Sequence, residues 1–128
     1  MQVQDLALDG MTLAYRAGLH PIHVPLLISL ANAPWHSSHE DVVMALQQLR
    51  NPAAVAILEK VTFSIHKYLD YDENFGLARK CTWALADIGS PEAHQALTRI
   101  AGCKNAMIAA YAKKRLDNWE QELDRKGI

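Results

Sequence analysis

The apolar residues of this chain recur at fixed distances from three prolines, Pro21, Pro52 and Pro91. In each copy a leucine follows the proline by six residues and an aliphatic residue follows it by nine. These residues are Leu27 and Leu30, Leu58 and Val61, and Leu97 and Ile100. The spacing places each pair on one face of a helix. Asn51 and Ser90 are good N-caps, and proline is favoured at the first helical position. The pattern therefore predicts three helices that begin at these prolines.

The residues before each proline predict a second helix in every copy. Their apolar positions are separated by three, one and three residues, which is one face of an amphipathic helix. They are Met11, Ala14, Tyr15 and Gly18, then Val42, Ala45, Leu46 and Leu49, then Cys81, Ala84, Leu85 and Ile88. Such self-similarity indicates a repeat protein. We expect an all-α fold, an α-solenoid of about three helical hairpins plus a C-terminal capping helix.

The copies are not equally spaced along the chain. Their offsets are 31 and then 39 residues, and the eight additional residues follow Val61. Because Ile65, Tyr68 and Leu69 continue the helical spacing, we expect the second helix of unit two to run about two turns further. In unit one, Pro25 predicts a helix that starts late or is kinked.

These offsets divide the chain into units. We expect one domain over residues 1–128, in keeping with its length. Repeat 1 spans about 5–33, repeat 2 about 37–69, repeat 3 about 77–102, and the capping helix about 105–124.

Composition narrows the functional classes. No run of apolar residues is long enough to cross a membrane, and the N-terminus lacks a basic-then-apolar signal. The net charge of −1 argues against a general nucleic-acid or membrane binder. The two cysteines, Cys81 and Cys103, lack the spacing of a disulfide framework, so we expect a reduced, cytoplasmic protein.

Two segments resemble HEAT-like repeats of the kind also found in phycobilin lyases. One is 46–58, Leu-Gln-Gln-Leu-Arg-Asn-Pro-Ala-Ala-Val-Ala-Ile-Leu. The other, 84–93, reads Ala-Leu-Ala-Asp-Ile-Gly-Ser-Pro-Glu-Ala and follows the family's Ala-Leu-x-x-Ile-Gly-x-Pro-x-Ala pattern. The resemblance is strong in units two and three and weak in unit one. It implies an α-solenoid whose proline-started helices line the inner surface, and it implies no particular chemistry.

Small stand-alone HEAT-like proteins are mainly partner-binding modules, and they include immunity proteins that neutralise toxins of competing bacteria. The resemblance thus implies a non-catalytic protein-binding module, most specifically an immunity-type inhibitor that binds a bacterial toxin domain stoichiometrically. The alternatives are a general scaffold or adaptor and a small nucleic-acid-binding HEAT-like protein. The last is disfavoured because acidic residues directly follow the basic run Lys113–Arg115. Cys81 lies in a core column and no motif supplies it with a base, so we expect neither an enzyme nor a cofactor.

The candidate partner contacts fall into two groups. The first lies one, four and eight residues after each proline, where the positions form a ridge on each helix. The ridge comprises Ile22, Pro25 and Ser29, then Ala53, Ala56 and Lys60, then Glu92, Gln95 and Arg99. Among these we take Ile22, Lys60, Glu92, Gln95 and Arg99 as contacts, and the alternative is a plain solvated face.

The second group is Lys67 together with the acidic loop that follows it. The loop comprises Asp70, Tyr71, Asp72 and Glu73, which would suit a basic partner such as the nucleic-acid-binding face of a nuclease. A plain polar linker is the alternative. The start of the loop resembles a calcium site, but Phe75 and Cys81 replace the glycine and glutamate that such a site requires.

The first repeat also carries unusual apolar residues. Ile28 stands where the other copies have the polar Glu59 and Thr98, Ile22 stands where they have Ala53 and Glu92, and Trp35 follows. An apolar surface there would bind a partner or form a dimer, unless the segment before Met11 folds over it.

The histidines occur in pairs that suggest a metal. His20 with His23 and His36 with His39 are three residues apart, whereas the helical zinc pattern places two histidines four apart around a glutamate. We therefore expect no metal site and assign these histidines to helix caps and surface positions.

Overall fold

The computed structural model describes residues 18–127, and this part of the chain is helical without strands. Its helices are α1 (Val24–Ala31), α2 (His39–Leu49), α3 (Val55–Thr62), α4 (Gly76–Ile88), α5 (Pro91–Ala101), α6 (Ala106–Asp117) and α7 (Trp119–Lys126). Short 3₁₀ turns occupy Pro21–His23, Pro52–Ala54 and Lys67–Leu69. The predicted apolar positions Met11, Ala14 and Tyr15 lie outside the described residues. No helix within 18–127 is long and apolar enough to cross a bilayer.

The helices form two layers. In one layer α1 packs against α3 and α3 against α5, so the proline-started helices are neighbours as the repeat predicts. In the other layer α2 packs against α4 and α4 against α6. Because α4 contacts helices of both layers, it lies at the centre of the structure. This arrangement confirms the all-α fold class and agrees with an α-solenoid of helical hairpins.

The core lies between the layers and is formed by the predicted columns. The leucines and aliphatic residues at the two fixed distances from the prolines are all buried, with at most 3% exposure. Val42, Ala45 and Leu46 of α2 and Cys81, Ala84 and Leu85 of α4 are fully buried opposite them. Cys81 is therefore a core residue, and burial raises the pKa of its thiol to about 12.

The helix starts are capped by the residues before the prolines. Asn51 Oδ1 accepts the backbone N–H of Ala53 at 2.9 Å, and Ser90 Oγ accepts that of Ala93 at 3.1 Å. In the first copy His20 and His23 each accept a backbone N–H of the same turn, at 3.1 Å. This reciprocal cap explains the first histidine pair.

The irregular start of the first helix does not depend on Pro25 alone. A 3₁₀ turn precedes α1, which begins at Val24, so Pro25 lies in the first helical turn, where its missing N–H is tolerated. The second copy has no such proline, yet its 3₁₀ turn ends one residue before α3 at the corresponding place. The late start is thus a property that units one and two share.

The predicted extension of the unit-two helix is wrong, because α3 ends at Thr62. The backbone N–H groups of Phe63 and Ser64 donate to the carbonyls of Lys60 and Val61, three residues earlier, at 3.2 and 3.0 Å. The Ser64 hydroxyl also donates to the Val61 carbonyl at 2.7 Å, which competes with a further helical bond. Residues 63–75, here called the 63–75 loop, therefore leave the helix direction.

The predicted capping helix over 105–124 is divided into α6 and α7 at Asn118. The Asn118 side-chain amide donates to the Lys114 carbonyl at 2.9 Å, and its backbone N–H turns to Leu116. Lys126 Nζ then forms an ion pair with Asp87 at 2.5 Å, and Gln47 donates to the other oxygen of this carboxylate at 2.7 Å. These contacts hold α7 against the end of α4.

A left-handed residue ends α2 and generates a stability prediction. Arg50 has φ +51°, whereas Gly89 takes the equivalent place after α4 with φ +68°. We expect Arg50→Gly to raise the free energy of unfolding by about 0.5–1 kcal/mol, because glycine adopts this conformation without strain. Urea unfolding measures the change. Arg50→Ala is the matched control and should bring no gain, since it removes the side chain but keeps a Cβ; equal gains in both variants would contradict this explanation.

Candidate functional site

The 63–75 loop exposes an unusual number of large apolar side chains. Ile65 is 87% exposed and Tyr71 79%, and Phe63 and Phe75 are more than 40% exposed. Trp35, from the connection between α1 and α2, is also partly exposed and shares a cavity with Ile65. The four loop side chains lie on an insertion that the regular repeats of this chain lack, so repeat stacking does not require them.

Two cavities lie on either side of Ile65 and His66, which line both. The first cavity has a volume of about 460 Å³ and is formed by the 63–75 loop with the end of α3 and the start of α4. Its lining includes Asp70, Asp72 and Glu73. The second cavity, of about 390 Å³, lies between the same loop and the connection that carries Trp35. The two cavities share Ile65 and His66, so together they are treated as one candidate surface around Ile65.

A histidine stack supports this surface from inside. The ring centroids of His36 and His39 are 4.1 Å apart, and those of His39 and His66 are 3.6 Å apart. His36 Nε2 lies 2.6 Å from the Leu30 carbonyl, and His39 Nε2 lies 2.5 Å from the Ala33 carbonyl. The stack therefore joins α1, α2 and the 63–75 loop.

The hydrogen bonds define neutral rings in this stack. His39 Nε2–H donates to a carbonyl, so Nδ1 accepts the Tyr68 hydroxyl at 2.7 Å, and the same oxygen accepts the His39 backbone N–H at 3.2 Å. Burial lowers the pKa of His39 to about 4, with smaller contributions from the nearby His36 and His66. Burial also lowers the pKa of His66. Protonation would place positive charge between stacked rings.

The surface positions that the sequence predicts for this histidine pair are wrong, because His36 and His39 are buried. Both ring nitrogens of each are occupied by protein groups, since Ser38 donates its backbone N–H to His36 Nδ1 at 3.0 Å. Over residues 18–127 no group of three potential ligands is arranged to hold a metal ion. The stack therefore acts as a structural support for the loop.

Asp72 organises the end of the loop. Its two carboxylate oxygens accept the backbone N–H groups of Asn74 and Gly76, both at 2.9 Å, which caps the start of α4. A Cβ on Gly76 would lie 2.5 Å from Asp72 Oδ2, so this close approach requires glycine. Phe75 is held between them at φ +53°, a conformation that costs a bulky residue about 1 kcal/mol or more. Asp72 is thus a structural residue, whereas Asp70 and Glu73 are exposed.

The predicted partner contacts lie in two separate regions, the 63–75 loop with its two cavities and the ridge on the proline-started helices. Trp35 and Lys67 meet in the second cavity, and Asp70, Asp72 and Glu73 meet in the first. The exposed Tyr71 belongs to the same loop. All nine ridge positions are exposed, and none of them lines either cavity.

The ridge residues differ in whether they contact other residues of the protein. Arg99 forms a two-bond ion pair with Glu59 at 2.7 and 2.8 Å, which links α5 to α3. Ile22 is 75% exposed, whereas Ile28 is half-buried and packs on the core. The exposed apolar surface of the first repeat is therefore formed by Ile22 and its neighbour Leu26 rather than by Ile28.

Sequence reasoning missed Ile65 and the histidine stack. Ile65 continues the helical spacing of α3, so the sequence places it on an extended helix, and His66 lies 27 residues from its stacking partner His39. The sequence signal for this site is the eight additional residues of unit two, because they indicate an insertion in the repeat.

Comparison with known proteins agrees with this architecture. Residues 77–102 match the family described as PBS lyase HEAT-like repeat. This segment corresponds to α4 and α5, which make one helical pair. No curated protein and no solved structure matches the chain. The fold is that of an α-solenoid, one segment of it matches a HEAT-like repeat, and none of the comparisons supports the resemblance to immunity proteins.

The buried histidine predicts acid sensitivity. The folded pKa of His39, about 4, lies below its ordinary value of 6.5, so the unfolded chain takes up the proton first as the pH falls. The stability from neutral His39 is present above pH 6.5 and is lost as the pH falls towards 4. We expect the free energy of unfolding, measured with urea, to decrease by about 2–3 kcal/mol over this range from this residue.

Two single variants test whether His39 causes this pH dependence of the free energy of unfolding. His39→Gln should flatten the decrease in the free energy of unfolding, whatever its effect at pH 7. His94→Gln, at an exposed histidine of α5, should keep the slope of the parent protein. Parallel pH profiles for all three proteins would contradict the assignment.

Proposed function

We propose that this protein is a non-catalytic binding module that recognises another protein through the 63–75 loop and the two cavities beside it. HEAT-like repeats suggest a protein-interaction or scaffold role, and the present chain has a distinct surface for it. The absence of catalysis is supported by Cys81, which is fully buried and whose raised pKa keeps it a thiol rather than a nucleophilic thiolate.

The observation that carries the proposal is the exposure of Ile65 between the two cavities. An isoleucine that is 87% exposed gains nothing from folding, and its burial by a partner would contribute about 2 kcal/mol. Aromatic residues surround it, and aromatic anchors next to cavities are typical of the centre of an interface. Because the histidine stack and the Asp72 cap fix the loop, little conformational entropy remains to be lost on binding.

The specific version is an immunity-type inhibitor of a toxin. Asp70 and Glu73 are exposed on the loop and line the first cavity, which favours a basic partner. A toxin domain that binds nucleic acid has such a basic face, and stoichiometric binding there would block it. The proposed setting is the cytoplasm.

A scaffold or adaptor is the second candidate, and the ridge favours it. Its nine positions are exposed along three neighbouring helices, so a second partner has room away from the loop. A nucleic-acid binder has less support, because Arg115 of the basic run is buried with its guanidinium 3.5 Å above the Trp83 ring centroid. The basic run then offers only its two lysines to a phosphate backbone.

Two isoleucines provide a matched test of where the partner binds. In co-purification from the native host, Ile65→Asp should weaken capture of the partner at least about 30-fold, as expected for a central contact. Ile22→Asp, at a similarly exposed isoleucine of the first repeat, should change it by less than about twofold. The opposite ranking would place the interface on the first repeat and overturn the assignment to the loop.

The charge of the partner and the adaptor role are tested separately. Glu73→Lys should slow association with a basic partner and reduce the dependence of the association rate on salt, measured with the purified partner.

A partner that tolerates both loop variants but is lost with Lys60→Glu would bind the ridge, as an adaptor would. Short DNA or RNA should give no mobility shift at low salt; a salt-dependent shift would favour nucleic acid instead.

A further inference from the structure

We propose that the first cavity is a subsite for one arginine side chain of the protein partner. The inference rests on the proposed function, because it names the chemistry that the same surface recognises. The arginine side chain would occupy the first cavity, and the exposed Ile65 would contact an apolar part of the partner beside it.

The cavity is lined by both apolar and acidic residues, which match the two parts of an arginine side chain. Leu69, Phe75 and Leu77 contribute apolar lining, and Asp70 and Glu73 contribute exposed carboxylates. An arginine buries its three methylenes against apolar walls while its guanidinium reaches polar groups. A volume of about 460 Å³ is within the range of small ligand sites and leaves room for the flanking backbone of the partner.

Within residues 18–127, no lysine or arginine accompanies the carboxylates at this cavity. None of the described residues that line it is a lysine or an arginine. Lys67 lines the second cavity, and Lys80 of α4 is bound to Glu40 at 2.6 Å. The negative charge at the cavity is therefore available to a positive group from outside.

His66 lines both cavities, and its Nε2 is buried and has no hydrogen-bond partner among the described residues. A buried polar group without a partner is costly, so a donor that met this nitrogen after a small turn of the ring would relieve that cost. Neutral His66 can accept a hydrogen bond at Nε2, and a guanidinium is a donor only.

Guanidinium is favoured over ammonium for three reasons. It has five donors in a planar fork, so it can serve more than one acceptor at once. Its planar group stacks on an aromatic ring, and Phe75 is partly exposed at the cavity. It is also more weakly hydrated than the ammonium of lysine, so it loses less on entering an apolar site.

The test uses small probes on the whole chain and needs no identified partner. N-acetyl-arginine amide is titrated into ¹⁵N-labelled protein, and amide shifts are followed by NMR. We expect saturable shifts centred on Ile65, His66 and Gly76. N-acetyl-citrulline amide, which has the same shape without the charge, should bind at least tenfold more weakly, and N-acetyl-lysine amide should bind more weakly than the arginine probe.

The paired variant Asp70→Asn/Glu73→Gln should weaken binding of the arginine probe at least tenfold. Glu120→Gln/Asp124→Asn makes the same change of charge at exposed positions of α7 and should leave it unchanged. The inference is overturned if no saturable shifts occur, if citrulline binds as well as arginine, or if both paired variants behave alike. The citrulline comparison decides the matter even if the loop variant fails to fold.

The two proposals can fail separately. If the arginine probe does not bind but Ile65→Asp still abolishes partner capture, the loop remains the interface and only the arginine subsite is lost. If the probe binds as expected but Ile65→Asp has no effect on capture, the subsite stands and the assignment of the partner interface to the loop is wrong.

Discussion

The structure depends on the burial of aliphatic side chains that recur at the same distances from three prolines. Leu58 and Leu97 occupy equivalent places on neighbouring helices, and both are fully buried against the central helix α4. Replacing such a leucine with alanine typically costs 2–5 kcal/mol, a large share of the stability of a domain of this size. Each layer is therefore stable only because its neighbours cover it, as in other repeat proteins.

The candidate site arises where this regular packing is interrupted. The eight additional residues cannot continue α3, because the Ser64 hydroxyl and the i−3 backbone bonds close the helix at Thr62. The loop is instead fixed by stacked rings and by the hydrogen bond between Tyr68 and His39. Polar and aromatic contacts thus replace the aliphatic core at this point, so the apolar side chains of the loop are left exposed.

The same contacts give the surface its chemistry. A neutral histidine stack provides rigid support without adding positive charge. The Asp72 carboxylate accepts backbone N–H groups of the loop and of α4, whereas Asp70 and Glu73 remain exposed. The unpartnered nitrogen of His66 and the left-handed Phe75 are local costs that the surrounding contacts offset. Such costs often occur at functional sites, where a binding partner removes part of them.

The sequence by itself determined the helices, their caps and the buried columns, because these follow from residues close in the chain and from a period that repeats. It also located the acidic loop, since Asp70, Tyr71 and Glu73 needed only composition to be placed outside the core. The tertiary structure alone decided the end of α3, the exposure of Ile65, the role of Asp72 and the pairing of His39 with His66. These depend on contacts between residues far apart in sequence and on the competition between helical hydrogen bonds and side-chain hydrogen bonds, which helical periodicity does not encode.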